Sequence, residues 1–81
     1  MDGPYMVYTK KLLNKKAIGE KLRQAMLDNH TTYEELAYNL ELNSPRVIYD
    51  WVNGVKLPSL ENLINICLMF NNNVEDFIVL L

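Results

Sequence analysis

The sequence predicts an all-α domain, a compact bundle of five short helices, and three observations support that prediction. Apolar residues recur at helical spacing in five separate segments. Helix start signals precede several of these segments, among them a capping box and a Ser-Pro pair. The chain has 81 residues, 49% of them apolar, which is enough for one modest core and therefore for a single domain.

The domain is predicted to span residues 14–81, after an N-terminal tail or arm of residues 1–13. Residues 5–9 have strand-like composition; alternatively, Thr9 caps a short helix that ends at Leu13. Asn14 is a suitable N-cap for the first helix, predicted over residues 15–28, in which Ile18 and Leu22 fall at helical spacing.

A capping box predicts where the second helix begins. Thr32 and Glu35 have the spacing at which a hydroxyl and a carboxylate satisfy each other's free backbone donors. The helix is predicted to continue to about residue 40. Glu34 and Glu35 do not suggest a catalytic carboxylate pair, because adjacent helical residues point in different directions.

The third helix is the most sharply bounded element, predicted to begin at Pro45 and end at Asn53. Ser44 can accept from free N–H groups of the first turn, and Pro45 suits the first helical position. Gly54 suits the left-handed residue that closes a helix. A three- or four-residue turn connects this helix to the second, and two short helices so joined form a helix-turn-helix.

Two further helices complete the predicted bundle. The fourth is expected over residues 60–71 with Ser59 as its N-cap, and the fifth begins after Asn73. The fifth has more apolar residues than one core-facing side requires, which predicts a dimer contact; a fully buried helix is the alternative. The predicted contact residues are Phe77, Ile78, Leu80 and Leu81.

Composition excludes several classes of function. No apolar run approaches the ~20 residues of a membrane span, and the N-terminus does not resemble a signal peptide. The single cysteine, Cys67, is typical of a reducing cytoplasm. There is no metal-ligand cluster, no nucleophile beside a histidine and no glycine-rich phosphate loop, so we expect no enzyme, no catalytic residue, no metal and no cofactor.

The net charge of −2 is unevenly distributed. Residues 10–23 hold six bases and one acid, whereas residues 57–81 hold three acids and no base. One end can therefore face phosphate, although a solvated helix face is the simpler interpretation. The six bases are Lys10, Lys11, Lys15, Lys16, Lys21 and Arg23.

The run T-Y-E-E-L-A-Y-N-L-E-L-N-S-P-R-V-I-Y-D-W-V-N-G-V-K-L-P-S-L-E-N-L-I resembles the phage repressor and Cro-like (XRE-type) family of helix-turn-helix DNA-binding proteins. It is most similar to a bacterial branch with S-P before the recognition helix and W-x-N-G after it. The similarity covers about residues 15–80. It implies a lambda repressor-like five-helix bundle that binds double-stranded DNA as a homodimer. The implied role is a cytoplasmic, nucleoid-associated transcriptional regulator, a repressor that reads an inverted-repeat operator.

The resemblance also implies roles for individual residues. The implied base-reading residues are Ser44, Pro45, Arg46, Val47 and Asp50. The implied phosphate contacts are Tyr33, Asn43, Asn53 and Lys56. If the chain binds DNA, we also expect Lys15, Lys16 and Lys56 to supply electrostatic attraction. Arg46 can bond a guanine edge, worth about 1–3 kcal/mol of discrimination, or can simply be solvated. Val47 can meet a thymine methyl or the edge of the core, and Asp50 can accept from cytosine or repel phosphate.

Some positions depart from the family pattern. Glycine is usual where this chain has His30 and Glu41, so we expect strain in those two turns. Many members have an arginine–glutamate pair where this chain has Met26 and Val52. An ion pair can be exchanged for apolar packing without loss of stability, so we predict that Met26 and Val52 touch.

Few bases lie in the helix-turn-helix half of the chain: between residues 31 and 56 there are only Arg46 and Lys56. The phosphate contribution is therefore expected to be small, and binding to require a dimer. The alternative is a protein-interaction or antitoxin-like module with weak or no DNA binding, which Asp50 and Val52 favour. A steep loss of affinity with salt would indicate DNA binding.

Overall fold

The computed structural model describes residues 5–81, which form four α-helices followed by a single 3-10 turn. The helices are α1 (Lys15–Asp28), α2 (Tyr33–Asn39), α3 (Arg46–Val52) and α4 (Leu60–Phe70), and the turn is Val74–Phe77. The predicted all-α class is confirmed for these residues. Each of the four predicted helices agrees with the observed bounds to within one residue at either end.

The predicted fifth helix is not confirmed. Asn71, with φ of +55°, ends α4 in the left-handed conformation. The following segment makes only one 3-10 turn, in which the Asn73 N–H donates to the Asp76 carboxylate at 2.8 Å. After Phe77 the backbone becomes extended, because Ile78 has φ of −93° and ψ of 109°. The architecture is therefore a four-helix bundle with a short C-terminal turn.

The end of the predicted N-terminal tail pairs with the C-terminus. Leu13 forms an isolated antiparallel bridge with Leu80, and the Leu81 N–H donates to the Leu12 carbonyl at 2.9 Å. Residues 5–11 are exposed and form neither helix nor strand. Residues 1–4 of the predicted tail lie outside the described residues. The paired chain ends give backbone groups of the last residues a partner that a helix would otherwise have supplied.

One core cluster joins α1–α4 and the 3-10 turn. Leu36, Ile48 and Ile66 are 0% exposed. At Gly19, α1 lies directly against the end of α3, since a Cβ there would be 2.4 Å from the Val52 carbonyl oxygen. The other members of the cluster are Leu22, Ala25, Met26, Ala37, Trp51, Val52, Cys67, Phe70 and Phe77. Met26 and Val52 are thus in the same cluster, and their direct contact stays a prediction.

The two turns in which the family pattern has glycine both adopt the backbone conformation that favours it. His30, after α1, has φ of +51°, and Glu41, after α2, has φ of +56°. The expectation of unfavourable geometry at these two positions is confirmed, because a side chain at positive φ crowds the following carbonyl. The structure retains the turns at a cost in stability.

Candidate nucleic-acid interface

Helix α3 has one side in the core and one side at the surface. Ile48, Trp51 and Val52 are 0%, 4% and 7% exposed. Arg46 and Val47 are exposed in the first turn, on the other side. Burial of the first group holds the helix rigidly, so its exposed first turn is presented to solvent in one orientation.

The start of α3 is built as the Ser-Pro pair predicts. Pro45 has helical dihedral angles, and its carbonyl accepts from the Ile48 N–H at 3.0 Å. The Ser44 hydroxyl accepts from the Arg46 N–H at 3.3 Å, so it satisfies one of the free donors. Ser44 and Arg46 are both exposed, whereas Pro45 is half-buried. The loop before them leaves Asn43 exposed as well.

The end of α3 is a tight turn. Its C-cap, Asn53, is exposed. Gly54 follows with φ of +74°, a backbone angle that residues other than glycine rarely adopt. The carbonyl of Asp50 then accepts from the N–H groups of Val55, at 2.9 Å, and Lys56, at 3.3 Å. These bonds fold the loop back, so the backbone of Lys56 lies beside the last turn of α3. The Asp50 side chain is half-buried.

Helix α2 is fixed by its predicted capping box. The Thr32 hydroxyl accepts from the Glu35 N–H at 3.0 Å, and the Glu35 carboxylate accepts from the Thr32 N–H at 2.9 Å. The bond from the Thr32 backbone N–H is the main cause of a lowered pKa of Glu35, because it favours the charged carboxylate. The box holds Tyr33, the first residue of α2, at the start of that helix.

Two tyrosines connect α2 to α3. The rings of Tyr33 and Tyr49 stack with centroids 4.2 Å apart and planes at 19°. Tyr49 is 45% exposed and lies on α3 three residues after Arg46. Sequence reasoning assigns no role to Tyr49. The feature that could have predicted the stack is the tyrosine on the outward side of each of the two helices. Such a pair contributes about 0.5–1.5 kcal/mol beyond its buried area, so it helps to fix the angle between α2 and α3.

Among residues 5–81, the reactive side chains are not gathered into a catalytic arrangement. Cys67 is buried in the core, and burial raises the pKa of its thiol, which keeps it neutral. His30 is exposed in its turn. Residues 5–81 contain no group of three or more potential metal ligands. Within that part of the chain, no helix has the length and apolar character that a membrane span requires.

No family model and no curated protein matches the chain, but solved structures do. The crystal structure of the clp gene regulator ClgR from Corynebacterium glutamicum is 29% identical, with a TM-score of 0.71, over 84% of this chain and 71% of that one. The solution structure of LexA from Eubacterium rectale, an SOS-response transcriptional repressor, is 26% identical with a TM-score of 0.74, over 91% and 74%. These likenesses show a helix-turn-helix fold and support the resemblance to the phage repressor and Cro-like family.

This helix-turn-helix domain also matches part of an enzyme. The hydroxypropylphosphonic acid epoxidase from S. wedmorenis has a TM-score of 0.72 and 18% identity, over 83% of this chain but only 35% of that one. At that identity the likeness shows the fold alone. The regulators ClgR and LexA are matched over a larger share of their own length.

The C-terminal residues of the helix-turn-helix domain differ from each other in exposure. Phe77, predicted at a dimer contact, is 2% exposed and belongs to the core, so in this conformation it is closed to a second subunit. Ile78, Leu80 and Leu81 are 44%, 51% and 80% exposed. The exposed apolar area at the C-terminus therefore comes from Ile78, Leu80 and Leu81 and not from Phe77.

Proposed function

We propose that the chain is a sequence-specific DNA-binding transcriptional regulator that acts as a repressor. In this proposal α3 enters the major groove of an inverted-repeat operator. The observation that carries it is the pair of exposed side chains, Arg46 and Val47, on the first turn of a helix whose opposite side is buried. The first turn of the second helix is the part that reaches base edges in this motif. ClgR and LexA, which are described as a gene regulator and a transcriptional repressor, support the same role.

The base-reading set is Ser44, Pro45, Arg46, Val47 and Asp50. Arg46 has five N–H donors in a planar fork, which match the O6 and N7 acceptors of guanine. Val47, 38% exposed, offers apolar contact to a thymine methyl. The Asp50 carboxylate is suited to a cytosine amino group and to no phosphate, so it discriminates rather than attracts.

The phosphate set is Tyr33, Asn43, Asn53 and Lys56. These residues begin α2, precede α3 or follow α3, so they flank the base-reading turn on more than one side. Hydroxyl, amide and ammonium groups all donate to phosphate oxygens and fix the register of the protein without reading sequence. Tyr33 is additionally held by its stack on Tyr49.

The proposed regulator is a homodimer in the cytoplasm, at the nucleoid. Two recognition helices about 34 Å apart would read the two halves of the operator. Ile78, Leu80 and Leu81 are the proposed dimer contacts, because they expose apolar area beside one another at the C-terminus. Pairing of two copies would compensate for the small number of bases near α3.

A mobility shift on DNA that flanks the native gene tests this function. The wild type should form a discrete complex, and Arg46→Ala should lose discrimination against random DNA by about 5- to 150-fold, the equivalent of one bidentate guanine contact. Arg23→Ala is the matched control, since it removes an arginine that pairs with Glu20 on α1. It should keep the ratio of specific to random binding. Equal ratios for wild type and Arg46→Ala would refute the base-reading role.

A second candidate function is protein interaction, and one observation favours it. Leu60, Ile64 and Leu68, at i, i+4 and i+8 of α4, are 69%, 41% and 75% exposed. An apolar row of this kind on a helix is typical of an interaction surface. In this alternative the domain binds another protein, as an antitoxin-like module does, and binds DNA weakly or not at all. Its complex would lose little affinity in high salt, unlike a DNA complex.

A further inference from the structure

We propose that residues 5–9 of two copies of this chain pair as antiparallel β-strands, with Val7 of one copy opposite Val7 of the other. We call residues 5–11 the exposed arm. The pairing needs no DNA, so it goes beyond the function proposed above. It also gives the proposed homodimer a second contact, separate from Ile78, Leu80 and Leu81.

The exposed arm carries four consecutive large apolar residues that the rest of the described chain leaves uncovered. Tyr5, Met6, Val7 and Tyr8 are 80%, 83%, 87% and 74% exposed. The molecule measures 53 Å in its longest dimension and 23 and 20 Å in the other two. That elongation is expected when seven extended residues, about 23–25 Å long, project from a bundle. An exposed apolar run of this kind indicates a surface that another molecule covers.

The backbone of the exposed arm also has open hydrogen-bonding groups. No hydrogen bond joins the main chain of residues 5–11 to another described residue. Directly after the arm, the chain is paired antiparallel with its C-terminal segment. The Asn14 N–H donates to the Val79 carbonyl at 2.7 Å, and the Leu81 N–H donates to the Leu12 carbonyl at 2.9 Å. The arm therefore continues a paired segment as an open edge that another strand can complete.

Backbone direction selects the register of the pairing. Successive residues of an extended strand direct their N–H and C=O groups to opposite edges. Leu12 and Asn14 use the edge that faces the C-terminal segment. In an extended continuation of the same strand, Tyr5, Val7 and Thr9 therefore face the opposite, free edge. A pair centred on Val7 places these residues in hydrogen-bonded positions, with about six bonds across the two-fold axis.

The sequence of the exposed arm is complementary to itself in this register. Tyr5 of one copy lies opposite Thr9 of the other, which is an aromatic residue opposite a β-branched one. Met6 lies opposite Tyr8, where a thioether can meet an aromatic ring. A segment that meets itself in this way forms the isologous contact of a two-fold dimer.

Charge and area favour a second copy of this chain as the partner. Lys10 and Lys11 directly follow the paired residues, so antiparallel pairing places the lysines of the two copies at opposite ends. Two tyrosines can bury about 300–500 Å² per copy, roughly half of the ~800 Å² that a stable interface buries per partner. Leu12 and Leu80 are also exposed, at the base of the arm, and add apolar area to the same surface.

Charge substitutions at Val7 test the pairing by sedimentation equilibrium of the full chain, which distinguishes a monomer of 9.4 kDa from a dimer of twice that mass. The wild type should dimerise. Val7→Glu and Val7→Lys should each weaken the dimer by about tenfold or more, because two like charges then face each other on the axis. An equal mixture of the two variants should dimerise about tenfold more tightly than either variant alone.

Tyr38→Glu and Tyr38→Lys are the matched controls. Tyr38 is 84% exposed, as uncovered as Val7, but it lies on α2 and lines a separate groove with Glu34 and Asn39. Both variants should dimerise like the wild type, alone and mixed. Circular dichroism checks that every variant keeps its helices, and Val7 lies outside all of them.

Three outcomes would overturn the pairing. A wild type that stays monomeric up to about 1 mM would leave DNA or another protein as the partner of the exposed arm. Val7 variants that dimerise like the wild type would leave the C-terminal residues as the dimer contact. A mixture that dimerises no more tightly than its components would show that position 7 does not meet itself. The mobility shift with Arg46→Ala tests DNA recognition separately, so failure of either proposal is distinguishable from failure of the other.

Discussion

Three turns of the domain hold non-glycine residues in left-handed backbone, and at two of them, His30 and Glu41, replacement with glycine should stabilise the protein. His30 and Glu41 have φ of +51° and +56°. Both side chains are exposed, and neither forms a hydrogen bond with residues 5–81. Their backbone N–H groups donate to the carbonyls of Leu27 and Tyr38, each at 3.1 Å, and glycine keeps both bonds. The substitution therefore removes strain without removing a contact.

The expected gain follows from two opposing terms. A left-handed conformation costs a non-glycine residue about 1–2 kcal/mol. Glycine also makes the unfolded chain more flexible, which offsets about 0.5–1 kcal/mol of the stability gained by relieving the strain. From the middle of the two ranges, each substitution should thus stabilise the fold by about 0.75 kcal/mol, and the pair by about 1.5 kcal/mol. For a chain of this size, 1 kcal/mol corresponds to about 4–8 °C in melting temperature.

Thermal and urea unfolding followed by circular dichroism measure this gain. Asn71→Gly is the control, because Asn71 has φ of +55° but asparagine tolerates that region better than other residues. It should gain clearly less than His30→Gly or Glu41→Gly. The reasoning would be refuted if both test variants are less stable than the wild type, or if they gain no more stability than Asn71→Gly. Backbone strain at His30 and Glu41 would then not lower the stability of the protein.

Three further predictions concern the packing of α1, the cap of α2 and the link between α2 and α3. Gly19→Ala should destabilise by about 1–3 kcal/mol in urea unfolding despite better helix propensity, because its Cβ would meet backbone carbonyls of α3. Thr32→Ala should lower the free energy of unfolding by about 1 kcal/mol, because it removes the hydroxyl that caps α2. The lowered pKa of Glu35 should add stability above the unfolded-state pKa and lose it as pH falls through the folded-state pKa, a dependence that Glu35→Gln removes. A double-mutant cycle with Tyr33→Ala and Tyr49→Ala should give a coupling of about 0.5–1.5 kcal/mol.

The caps of the helices could be predicted from the sequence because they depend on neighbours in the chain. Thr32 and Glu35 are three residues apart, and their reciprocal bonds are those of the expected capping box. The Ser59 hydroxyl likewise accepts from the Asn62 N–H at 3.1 Å, at the predicted start of α4. Local spacing is sufficient information for contacts of this range.

The end of the chain could not be predicted in the same way. The segment after Asn73 has the apolar residues and the N-cap of a helix, yet it makes one 3-10 turn and then extends. The end of this segment pairs instead with a distant part of the chain, through the bridge between Leu13 and Leu80. Helical periodicity in a short segment does not report such a partner, and tertiary contacts override propensity.

The candidate interface was predicted only in part. The exposed first turn of α3 follows from the apolar spacing of Ile48 and Trp51, which marks the opposite side as buried. Local sequence patterns do not predict contacts between separate elements. Two such contacts are the stack of Tyr33 on Tyr49 and the approach of Lys16 to Gly54. The burial of Phe77 could not be predicted from composition, because an apolar residue near a terminus can belong either to the core or to a contact surface.

The central claim is that DNA meets the surface formed by the start of α2 and by α3, and nuclear magnetic resonance tests it most directly. Amide resonances of the ¹⁵N-labelled protein would be followed while a DNA duplex from the flanking region of the gene is added. We expect the largest shifts at Tyr33, Arg46 and Asn53, with little change along α4. Shifts confined to the row of Leu60 and Ile64, with α3 unchanged, would contradict the claim and favour a protein-binding surface.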